Sequence, residues 1–321
     1  MLRSMYSGIS GLKNFQTKLD VIGNNISNVN TYGFKKGRTV FKDMISQTTS
    51  GASAATATRG GVNPKQVGLG SQVAAIDTIH TGGSMQSTGR VLDLAISGDG
   101  FFQVADGTGA GLTGFNNPLY SRAGNFYMDS NGYLVNSDGK FLVGVTTTPV
   151  GTPAVMPLAS NVTAVNTPGN LDDNPAGNLD GIADQSPVTI TGYTPNYKPM
   201  KIPTDAQSMS VGQDGTVTFV DKDGALRWAG QLVLAKFPNS GGLEKVGANY
   251  FASTANSGTA FNATATQDGM GSINSGFVEM SNVDLSEEFT EMIVAQRGFQ
   301  ANTRIITTSD EILQELVNLK R

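Results

Sequence analysis

A few polar residues in this sequence have the types that bind metal or carry out acid–base chemistry. Asp221, Asp223 and Gly224 resemble the start of an EF-hand calcium loop, but the later ligands and the closing glutamate are missing. Runs of β type flank them, so a hairpin turn is the better interpretation. His80, the single histidine, follows an alternating run and has no recognisable Ser or Asp partner. The sequence therefore predicts no catalytic, cofactor-binding or metal-binding residue.

The composition excludes several further classes of function. The chain has no cysteine, which removes disulfides, thiolate nucleophiles and Cys-based metal sites. Its 22 basic and 26 acidic residues give a net charge of -4, so we expect neither a nucleic-acid nor a membrane partner. The 40 glycines predict turn-rich β structure in water, often outside the cell. No stretch approaches the ~20 apolar residues of a membrane span, and we expect export without a cleaved signal peptide.

A basic cluster with interleaved phenylalanines follows the N-terminal region. It consists of Lys35, Lys36, Arg38 and Lys42. Binding of nucleic acid would need a wider patch and a favourable overall charge. The sequence leaves two interpretations open: the cluster meets the acidic face of the C-terminal helix in a neighbouring copy, or it forms a solvated loop.

Heptad patterns at both ends of the chain predict two long helices. Apolar residues recur every seven positions near the start and near the finish, and others at spacings of three and four complete a stripe on each helix. The predicted assembly seam consists of Met5, Leu12, Phe15, Leu19, Ile22, Ile26, Leu285, Met292, Phe299, Ile306 and Leu313.

The C-terminal helix is too long to be covered by a compact body. If residues 285 to 319 form one helix, it is roughly 50 Å long. Its stripe must then pack against the N-terminal helix, against copies from other chains, or against both, because such a stripe would otherwise expose a large apolar surface. An intramolecular antiparallel pair that closes a monomeric domain is the alternative to assembly.

The middle of the chain predicts antiparallel β structure. Short apolar runs alternate with Asn-Gly and Asp-Gly dipeptides, which favour tight hairpin turns. The predicted fold is mainly β, with terminal helices that pair like a coiled coil and enclose a β body with an inserted loop-rich subdomain. The predicted parts are an inner core domain (1–34 and 281–321), an extended connector (35–70), a β domain (71–145 and 206–280) and an inserted proline-rich subdomain (146–205).

Three segments resemble signatures of the bacterial flagellar axial proteins, the family of rod and hook subunits. The first runs from Leu19 to Lys35 and contains Asn24, Asn25, Asn28, Gly33 and Phe34, which we take as the family motif. The second is Ser281–Leu285 followed by Glu291–Arg297 and Phe299–Asn302. The third runs from Gly83 through Leu92–Ile96 to Phe102 and resembles the start of the shared β domain.

The resemblance implies a structural subunit of the flagellar hook, a hollow curved tube that transmits motor torque to the filament. The ending at Leu316–Arg321 resembles hook proteins, whereas the start at Met1–Tyr6 also resembles rod subunits, so a distal rod subunit is the alternative. The implied partners are further copies in a helical polymer, the rod, hook-cap and hook–filament junction proteins, and the type III export apparatus. The implied location is extracellular.

A secreted β-rich enzyme or adhesin that acts on glycans is the hypothesis from another class. It would need a cleft lined with aromatic and acidic residues. The single tryptophan, Trp228, lies among β runs, where a core role fits better.

Overall fold

The computed structural model describes residues 2–108, 114–145 and 197–319, and it is mainly β with one helix at each end. This confirms the predicted fold class at that level. Helix α1 spans Leu2–Ser27 and helix α2 spans Leu285–Asn318. The strands are β1 (Gly37–Asp43), β2 (Ser46–Ser50), β3 (Lys65–Gly68), β4 (Ser71–Thr78), β5 (Met85–Ser87), β6 (Leu94–Ser97), β7 (Phe101–Thr108), β8 (Gly114–Ser121), β9 (Tyr127–Met128), β10 (Leu134–Val135), β11 (Phe141–Val145), β12 (Tyr197–Pro199), β13 (Ser208–Val211), β14 (Thr216–Val220), β15 (Leu226–Lys236), β16 (Glu244–Gly247), β17 (Tyr250–Ala252), β18 (Phe261–Thr264), β19 (Ser272–Ser275) and β20 (Phe277–Glu279).

Helix α2 has a well-formed N-terminal cap. The Asp284 side chain accepts hydrogen bonds from the backbone N–H groups of Ser286 and Glu287, and both Glu287 and Glu288 lie in the first turn. These carboxylates also favour the positive end of the helix dipole. At 34 residues the helix is about 51 Å long, in agreement with the sequence prediction.

The two helices pair in antiparallel orientation within one chain. A Cβ atom placed on Gly8 would lie 3.3 Å from Ile306 Cγ1, and one placed on Gly298 would lie 2.5 Å from the Phe15 ring. Lys18 near the end of α1 forms a 2.6 Å ion pair with Glu291 near the start of α2. The N-terminal half of each helix therefore lies beside the C-terminal half of the other.

The segment predicted as a connector forms a two-stranded ribbon. Strand β1 pairs with β4, and β2 pairs with β3 further along the same excursion. The ribbon lies along α1, where the Phe15 and Phe41 rings are 6.3 Å apart and Asn14 donates a hydrogen bond to Ser71 Oγ. Residues 71 to 78, which we assigned to the β domain from sequence, thus belong to the ribbon.

The β body consists of one large sheet and two short strand pairs. The large sheet has the strand order β13-β14-β15-β11-β7-β8-β17-β16, and β9, β10, β12 and β18 pair beside this path. The short pairs, β5 with β20 and β6 with β19, join the segment that enters the body to the segment that leaves it. All pairings between these described strands are antiparallel, which agrees with the predicted β class.

The body has a continuous apolar core that includes residues from both halves of the β sequence. Its fully buried members include Phe102, Leu134, Leu142, Met200, Ile202, Leu232, Leu234 and Ile273. Met200 and Ile202 fall inside the predicted insertion, and β12 pairs with β11, so the sheet resumes at residue 197 and not at 206. The rest of the predicted subdomain, 146–196, lies outside the described residues.

Most of the predicted turn dipeptides within the described residues lie in turns, but Asp99-Gly100 lies in a bend and Asp106-Gly107 lies in a strand. Asp180-Gly181 falls outside the described residues. Backbone hydrogen bonds close four-residue turns at Gly132, Gly139, Gly215 and Gly224. Asp106-Gly107 instead lies inside β7, opposite Asn116 and Phe115 of β8. A β-bulge just before Asp106 shifts the register of β7, and the dipeptide continues to pair with β8. That turn prediction was wrong, because local turn chemistry is overridden where a partner strand is available.

Candidate functional site: the helix pair and its junction with the β body

Small and polar residues form much of the face on which the helices meet. Gly8 and Gly11 of α1 lie against Ile306 and Asn302, and Gly298 of α2 lies against the Phe15 ring. Ala295 and Ser309 are buried on the same side of α2. Close packing of the two helices explains these residue types, because a Cβ atom at Gly11 would lie 2.7 Å from Asn302 Oδ1 and one at Gly298 would lie 2.5 Å from the Phe15 ring. We did not predict the glycines, Ala295 or Ser309 as contact residues, although glycine inside a helical pattern is itself a signal of close packing.

The predicted seam residues occupy several different environments. Ile22 is buried, and the other predicted residues of α1 are partly buried: Met5, Leu12, Phe15, Leu19 and Ile26. On α2, Met292, Ile306 and Leu313 are partly buried, whereas Leu285 and Phe299 remain 39% and 38% exposed. The last two therefore do not belong to a fully closed seam within one chain. A strict heptad cannot describe a face that is shared between glycine contacts and bulky side chains.

Asn25 of the family motif connects α1, the ribbon and α2. Its side chain donates a hydrogen bond to the carbonyl of Gly37 at 2.9 Å and accepts one from the Gly37 N–H at 3.0 Å. It also donates to Glu288 Oε2 at 3.1 Å. A buried amide with all of these partners is positioned rigidly, so Asn25 fixes the angle at which the ribbon leaves the helix pair.

Asn28 and Gly33 shape the chain where α1 ends. The Asn28 side chain donates hydrogen bonds to the carbonyl and the side-chain oxygen of Asn24, and accepts one from Thr31. Gly33 has a φ of +69°, and a Cβ there would lie 2.5 Å from the backbone nitrogen of Ala123. Its N–H donates to the carbonyl of Glu279 at 2.8 Å. Only glycine can pass this close to the β body in this conformation.

A buried ion cluster lies directly behind that turn. Lys35 Nζ is 2.5 Å from Glu279 Oε1, and Arg122 Nη1 is 3.3 Å from Glu279 Oε2. Lys35 also donates to the carbonyl of Thr81, and Arg122 donates to the carbonyl of Gly98 at 2.7 Å. Glu279 receives a further hydrogen bond from the Gly83 N–H. One carboxylate thus joins the end of the α1 segment, the β body and the segment that leads to α2.

Burial and positive charge lower the pKa of the basic groups at this junction. Burial lowers the pKa of Lys35, and the Glu279 carboxylate opposes that shift. Burial also lowers the pKa of Lys245, whose ammonium lies 4.9 Å from the centre of the Phe34 ring and donates to the carbonyl of Lys35. His80 packs edge-on against Phe101 and Phe251. Phe34 and His80 are therefore structural members of one junction.

The basic cluster predicted from sequence divides among three environments. Lys36 forms a 2.7 Å ion pair with Glu287 of α2, so the basic residue meets the acidic face of the helix within the same chain. Lys35 is buried with Glu279, and Arg38 pairs with Asp77 across the ribbon. The sequence left open a contact with the C-terminal helix of a neighbouring copy or a solvated loop. In the structure Lys36 contacts that helix within its own chain, Lys35 is buried, and Lys42 is exposed.

The remaining polar candidates have structural roles. Asp221 begins the turn between β14 and β15, and its carboxylate pairs with Arg227 at 2.9 Å, in agreement with the hairpin interpretation. Among the described residues, no helix has both the length and the apolar character required to cross a bilayer.

Comparison with known sequence families matches the two ends and the β body separately. Residues 5–35 match the flagella basal body rod protein family, and residues 274–319 match the C-terminal family of the flagellar basal body rod FlgEFG proteins. Residues 95–219 match the D1 domain of the flagellar hook proteins FlgE/F/G. The chain belongs to the flagellar hook and rod protein family. The first match contains most of α1 and the family motif, and the second contains α2 and Glu279.

Relatives from both branches of the hook and rod family align along the whole chain. The flagellar basal-body rod protein FlgG of Bacillus subtilis is 52% identical and is covered completely, as is this chain. The flagellar hook protein FlgE of Borreliella burgdorferi is 34% identical, again over all of both chains. The hook protein FlgE of Escherichia coli is 30% identical over 97% of this chain and 98% of its own length.

Proposed function

We propose that this chain is a structural subunit that polymerises into the hollow axial tube of the flagellum. The helix pair lines the inner tube, and the β body forms the outer wall. Subunits reach the growing end through the type III export apparatus, without cleavage of a signal. The relatives named as hook and rod proteins support this role, and the exposed helix surfaces provide the physical argument.

The observation that carries the proposal is the apolar surface that remains after the helices have paired. Tyr6 is 69% exposed and Ile293 is 58% exposed, although both lie on long helices that already have a partner. Among the helix residues whose burial is described, the exposed large apolar residues are Tyr6, Ile9, Leu285, Phe289, Ile293, Val294, Phe299, Ile305, Ile312, Leu316 and Val317. A surface of this kind marks an interaction site.

The position of this surface favours contact with further copies. Phe289 and Ile293 lie one turn apart on α2, and Ile305, Ile312 and Leu316 follow at spacings of seven and four. Helical neighbours with matching stripes bury such side chains in ridge-and-groove packing. Pairing within the chain leaves the stripes available, so the antiparallel pair and polymerisation are compatible and are not alternatives.

We place the subunit in the hook. A hook bends as it rotates, so its inner contacts must hold while its outer contacts exchange. The exposed strands β2, β3 and β16 are polar or weakly apolar, which suits weak outer contacts. The hook proteins of Borreliella burgdorferi and Escherichia coli also align over nearly the whole chain. In this position the partners are the rod, hook-cap and hook–filament junction proteins, and the location is extracellular.

The distal rod is the second candidate, because two observations favour it. The Bacillus subtilis rod protein has the higher identity, 52%, compared with 34% for the Borreliella burgdorferi hook protein. The rod alignment spans 322 positions and the hook alignment spans 449, so this hook protein has over a hundred residues without a counterpart here. A rod subunit would be located in the periplasm and would form a straight tube.

The proposed role requires no enzymatic activity. The junction ions are held by one another and by backbone carbonyls, and His80 is packed between phenylalanine rings. Trp228 faces Thr218 across the β14–β15 pair, as a sheet residue and not as a cleft residue. A structural subunit explains these arrangements without a substrate.

Negative-stain electron microscopy of the purified full chain tests the proposal. Protein is concentrated in a kosmotropic salt, which strengthens apolar burial. Curved hollow tubes are expected for a hook subunit, and straight tubes would assign the chain to the rod. The double variant Phe289→Ser, Ile293→Ser replaces two side chains that are 50% and 58% exposed in the single chain, so it is expected to remain a folded monomer that does not polymerise. Persistent monomers of the unaltered chain under all such conditions would overturn the proposal.

A further inference from the structure

A cavity of about 230 Å³ lies where the turn after α1 meets the β body. Its walls come from that turn (30–32), from β7, from the end of β8 and the segment that follows it, and from the turns that join β10 to β11 and β16 to β17. Pockets for drug-sized ligands measure about 300–1,000 Å³. A ligand of this cavity is therefore smaller, about the size of one sugar ring.

The chemistry of the wall narrows the class of ligand. All of the described lining side chains are uncharged, and most of them are amides, hydroxyls or phenols. A phosphate or a metal ion would need charged partners, and an apolar molecule would leave the polar groups of the wall unpaired. The hydroxyls of a neutral sugar both donate and accept hydrogen bonds, so they match this wall. With no carboxylate among the described residues of the wall, the arrangement fits binding of a sugar and not its cleavage.

Three polar side chains of the wall are available to a ligand. Among the described residues, the side chains of Asn30, Asn125 and Ser137 form no hydrogen bond. Each amide offers an oxygen and an NH₂ group, and the serine adds a hydroxyl. The three residues come from separate segments of the chain, so they can contact different hydroxyls of one ring.

Other side chains of the wall are already held in place. Tyr250 Oη donates a hydrogen bond to Asp138 and accepts one from the Asn136 amide. Ser121 Oγ donates to the carbonyl of Asn249 at 3.0 Å. A cavity with fixed walls loses little conformational entropy when a ligand binds.

The turn between β16 and β17 is strained where it lines the cavity. Ala248 and Asn249 form this two-residue turn and have φ values of +48° and +61°. Turns of this kind favour glycine or asparagine, so alanine at the first position is unusual. Backbone strain clusters at ligand sites, which agrees with a role for this turn in binding.

Tyr32 adds an aromatic surface to the same cavity. The residue is 38% exposed, so part of it is open to a ligand. Its carbonyl accepts a hydrogen bond from Asn249 Nδ2 at 3.1 Å, which ties it to the strained turn. The face of an aromatic ring carries partial negative charge and attracts the C–H groups of a sugar ring.

We infer that this cavity binds one neutral pyranose unit, either as a free sugar or as part of a glycan chain. The Tyr32 ring stacks on one face of the sugar. Asn30, Asn125 and Ser137 form hydrogen bonds with its hydroxyls. The dissociation constant is on the order of millimolar, because a single sugar ring has few atoms. This inference goes beyond the proposed function and needs only the folded single chain.

Saturation-transfer difference NMR on the full chain tests the inference, with glucose, N-acetylglucosamine and glucuronate as probes. The two neutral sugars are expected to receive saturation, whereas glucuronate is expected to bind more weakly because the wall offers its carboxylate no basic partner. The disaccharide of N-acetylglucosamine distinguishes the two sources. A site for a glycan chain binds it at least as tightly as the single sugar, and a site for a free sugar binds it more weakly.

Substitutions in the wall separate this site from unspecific binding. Asn125→Ala and Ser137→Ala each remove an unpaired polar group, so each is expected to weaken binding about fivefold, as the loss of one neutral hydrogen bond implies. Tyr32→Leu is expected to weaken it similarly, whereas Tyr32→Phe keeps the ring and is expected to bind within about twofold of the unaltered chain. The matched control is Asn116→Ala, an exposed asparagine of β8 outside the cavity, which is expected to change nothing.

The outcomes that would overturn the inference are distinct from those that bear on the proposed function. Absence of saturation transfer to both neutral sugars would overturn it, and so would tighter binding of glucuronate. Equal affinity in the unaltered chain and in Asn125→Ala and Tyr32→Leu would overturn it as well. Circular dichroism shows that each variant is folded, and Asn30→Ala replaces any variant that is not. Tubes formed by the unaltered chain would leave the proposed function standing in every case.

Discussion

Lys35 Nζ lies 2.5 Å from Glu279 Oε1, and both side chains are buried where the helix pair meets the β body. Arg122 approaches the other oxygen of the same carboxylate. The pairing connects residues that are far apart in sequence, one just after α1 and one shortly before α2. The ion pair therefore links the segment that enters the β body to the segment that leaves it.

Replacement of Glu279 by Gln is expected to destabilise the monomer strongly. It leaves Lys35 and Arg122 buried without a counter-charge, a change that costs about 3–5 kcal/mol. Urea unfolding followed by Trp228 fluorescence measures the effect. Lys236→Met provides the control, because its pair with Asp99 is exposed and is expected to be worth less than about 1 kcal/mol. An equal loss of unfolding free energy in the two variants would contradict a structural role for the buried ion cluster.

Replacement of Gly33 by Ala is expected to cost more than Gly89→Ala, although both glycines have nearly the same conformation. Their φ values are +69° and +70°, so the substitutions share a backbone strain of about 1–2 kcal/mol. At Gly33 the new Cβ would also lie 2.5 Å from the Ala123 nitrogen, whereas at Gly89 no atom lies within 4 Å.

The difference in unfolding free energy between the two glycine variants measures the steric clash with Ala123 alone. We expect Gly33→Ala to lower the free energy of unfolding by at least about 2 kcal/mol more than Gly89→Ala, because backbone atoms of the body must move. Thermal unfolding by circular dichroism gives both values. If the two variants unfold alike, the turn at Gly33 does not need its close approach to Ala123.

Acidification is expected to destabilise the junction through His80. Burial, with smaller contributions from Lys35, Lys245 and Arg122, lowers the pKa of His80 from 6.5 to about 4. Between these pH values the unfolded chain binds a proton that the folded chain does not. The stabilisation is therefore complete above pH 6.5 and is lost as the pH falls towards 4.

The variant His80→Phe isolates this titration, because it keeps an aromatic ring between Phe101 and Phe251 but binds no proton. Between pH 6.5 and pH 4, the free energy of unfolding is expected to fall on the order of 1–2 kcal/mol more for the unaltered chain than for the variant. This figure is reduced because His80 is partly exposed. Urea unfolding at a series of pH values measures both curves. Parallel curves would show that His80 is protonated equally in both states.

Phe299→Asp is expected to abolish polymerisation and leave the monomer folded. Phe299 is partly exposed in the single chain, so an aspartate there remains hydrated until a neighbour covers it. Desolvation of that charge in an assembled tube costs several kcal/mol per copy. Sedimentation measures the polymer, and circular dichroism at 222 nm measures the helices.

Two further variants separate loss of assembly from a general effect of the added charge and from loss of folding. Gln300→Asp places the same charge at the next, polar position and is expected to affect polymerisation less. Leu19→Asp also blocks polymerisation, but Leu19 is partly buried in the monomer, so we expect it to lower the helical unfolding temperature as well. A Phe299→Asp chain that forms normal tubes would remove this residue from the assembly surface.

The sequence predicted the elements more accurately than the contacts between them. The heptad stripes placed both helices, and the glycine dipeptides placed most hairpin turns, because both signals depend on neighbours within a few residues. The polar, small-residue segment from 46 to 64 gave no local sign of pairing. It forms a ribbon because β1 and β4 meet across it and lie along α1.

The residues of the family motif also show that the sequence predicts elements better than contacts. Sequence alone identified Asn25, Gly33 and Phe34 as parts of a specific signature, but not what they contact. Their partners are Gly37 and Glu288 for Asn25, Ala123 for Gly33 and Lys245 for Phe34. Most of these partners come from distant parts of the chain, so no local pattern contains them.

The sequence by itself determined the helices, the β character of the middle and the membership of the hook and rod family. Periodicity and turn chemistry are local properties, and long signatures are read directly from the chain. Only the tertiary structure decided which faces remain free. The antiparallel pairing covers Gly8, Gly11 and Gly298 and leaves Tyr6 and Ile293 in solvent, and the choice depends on which backbones can approach each other in three dimensions.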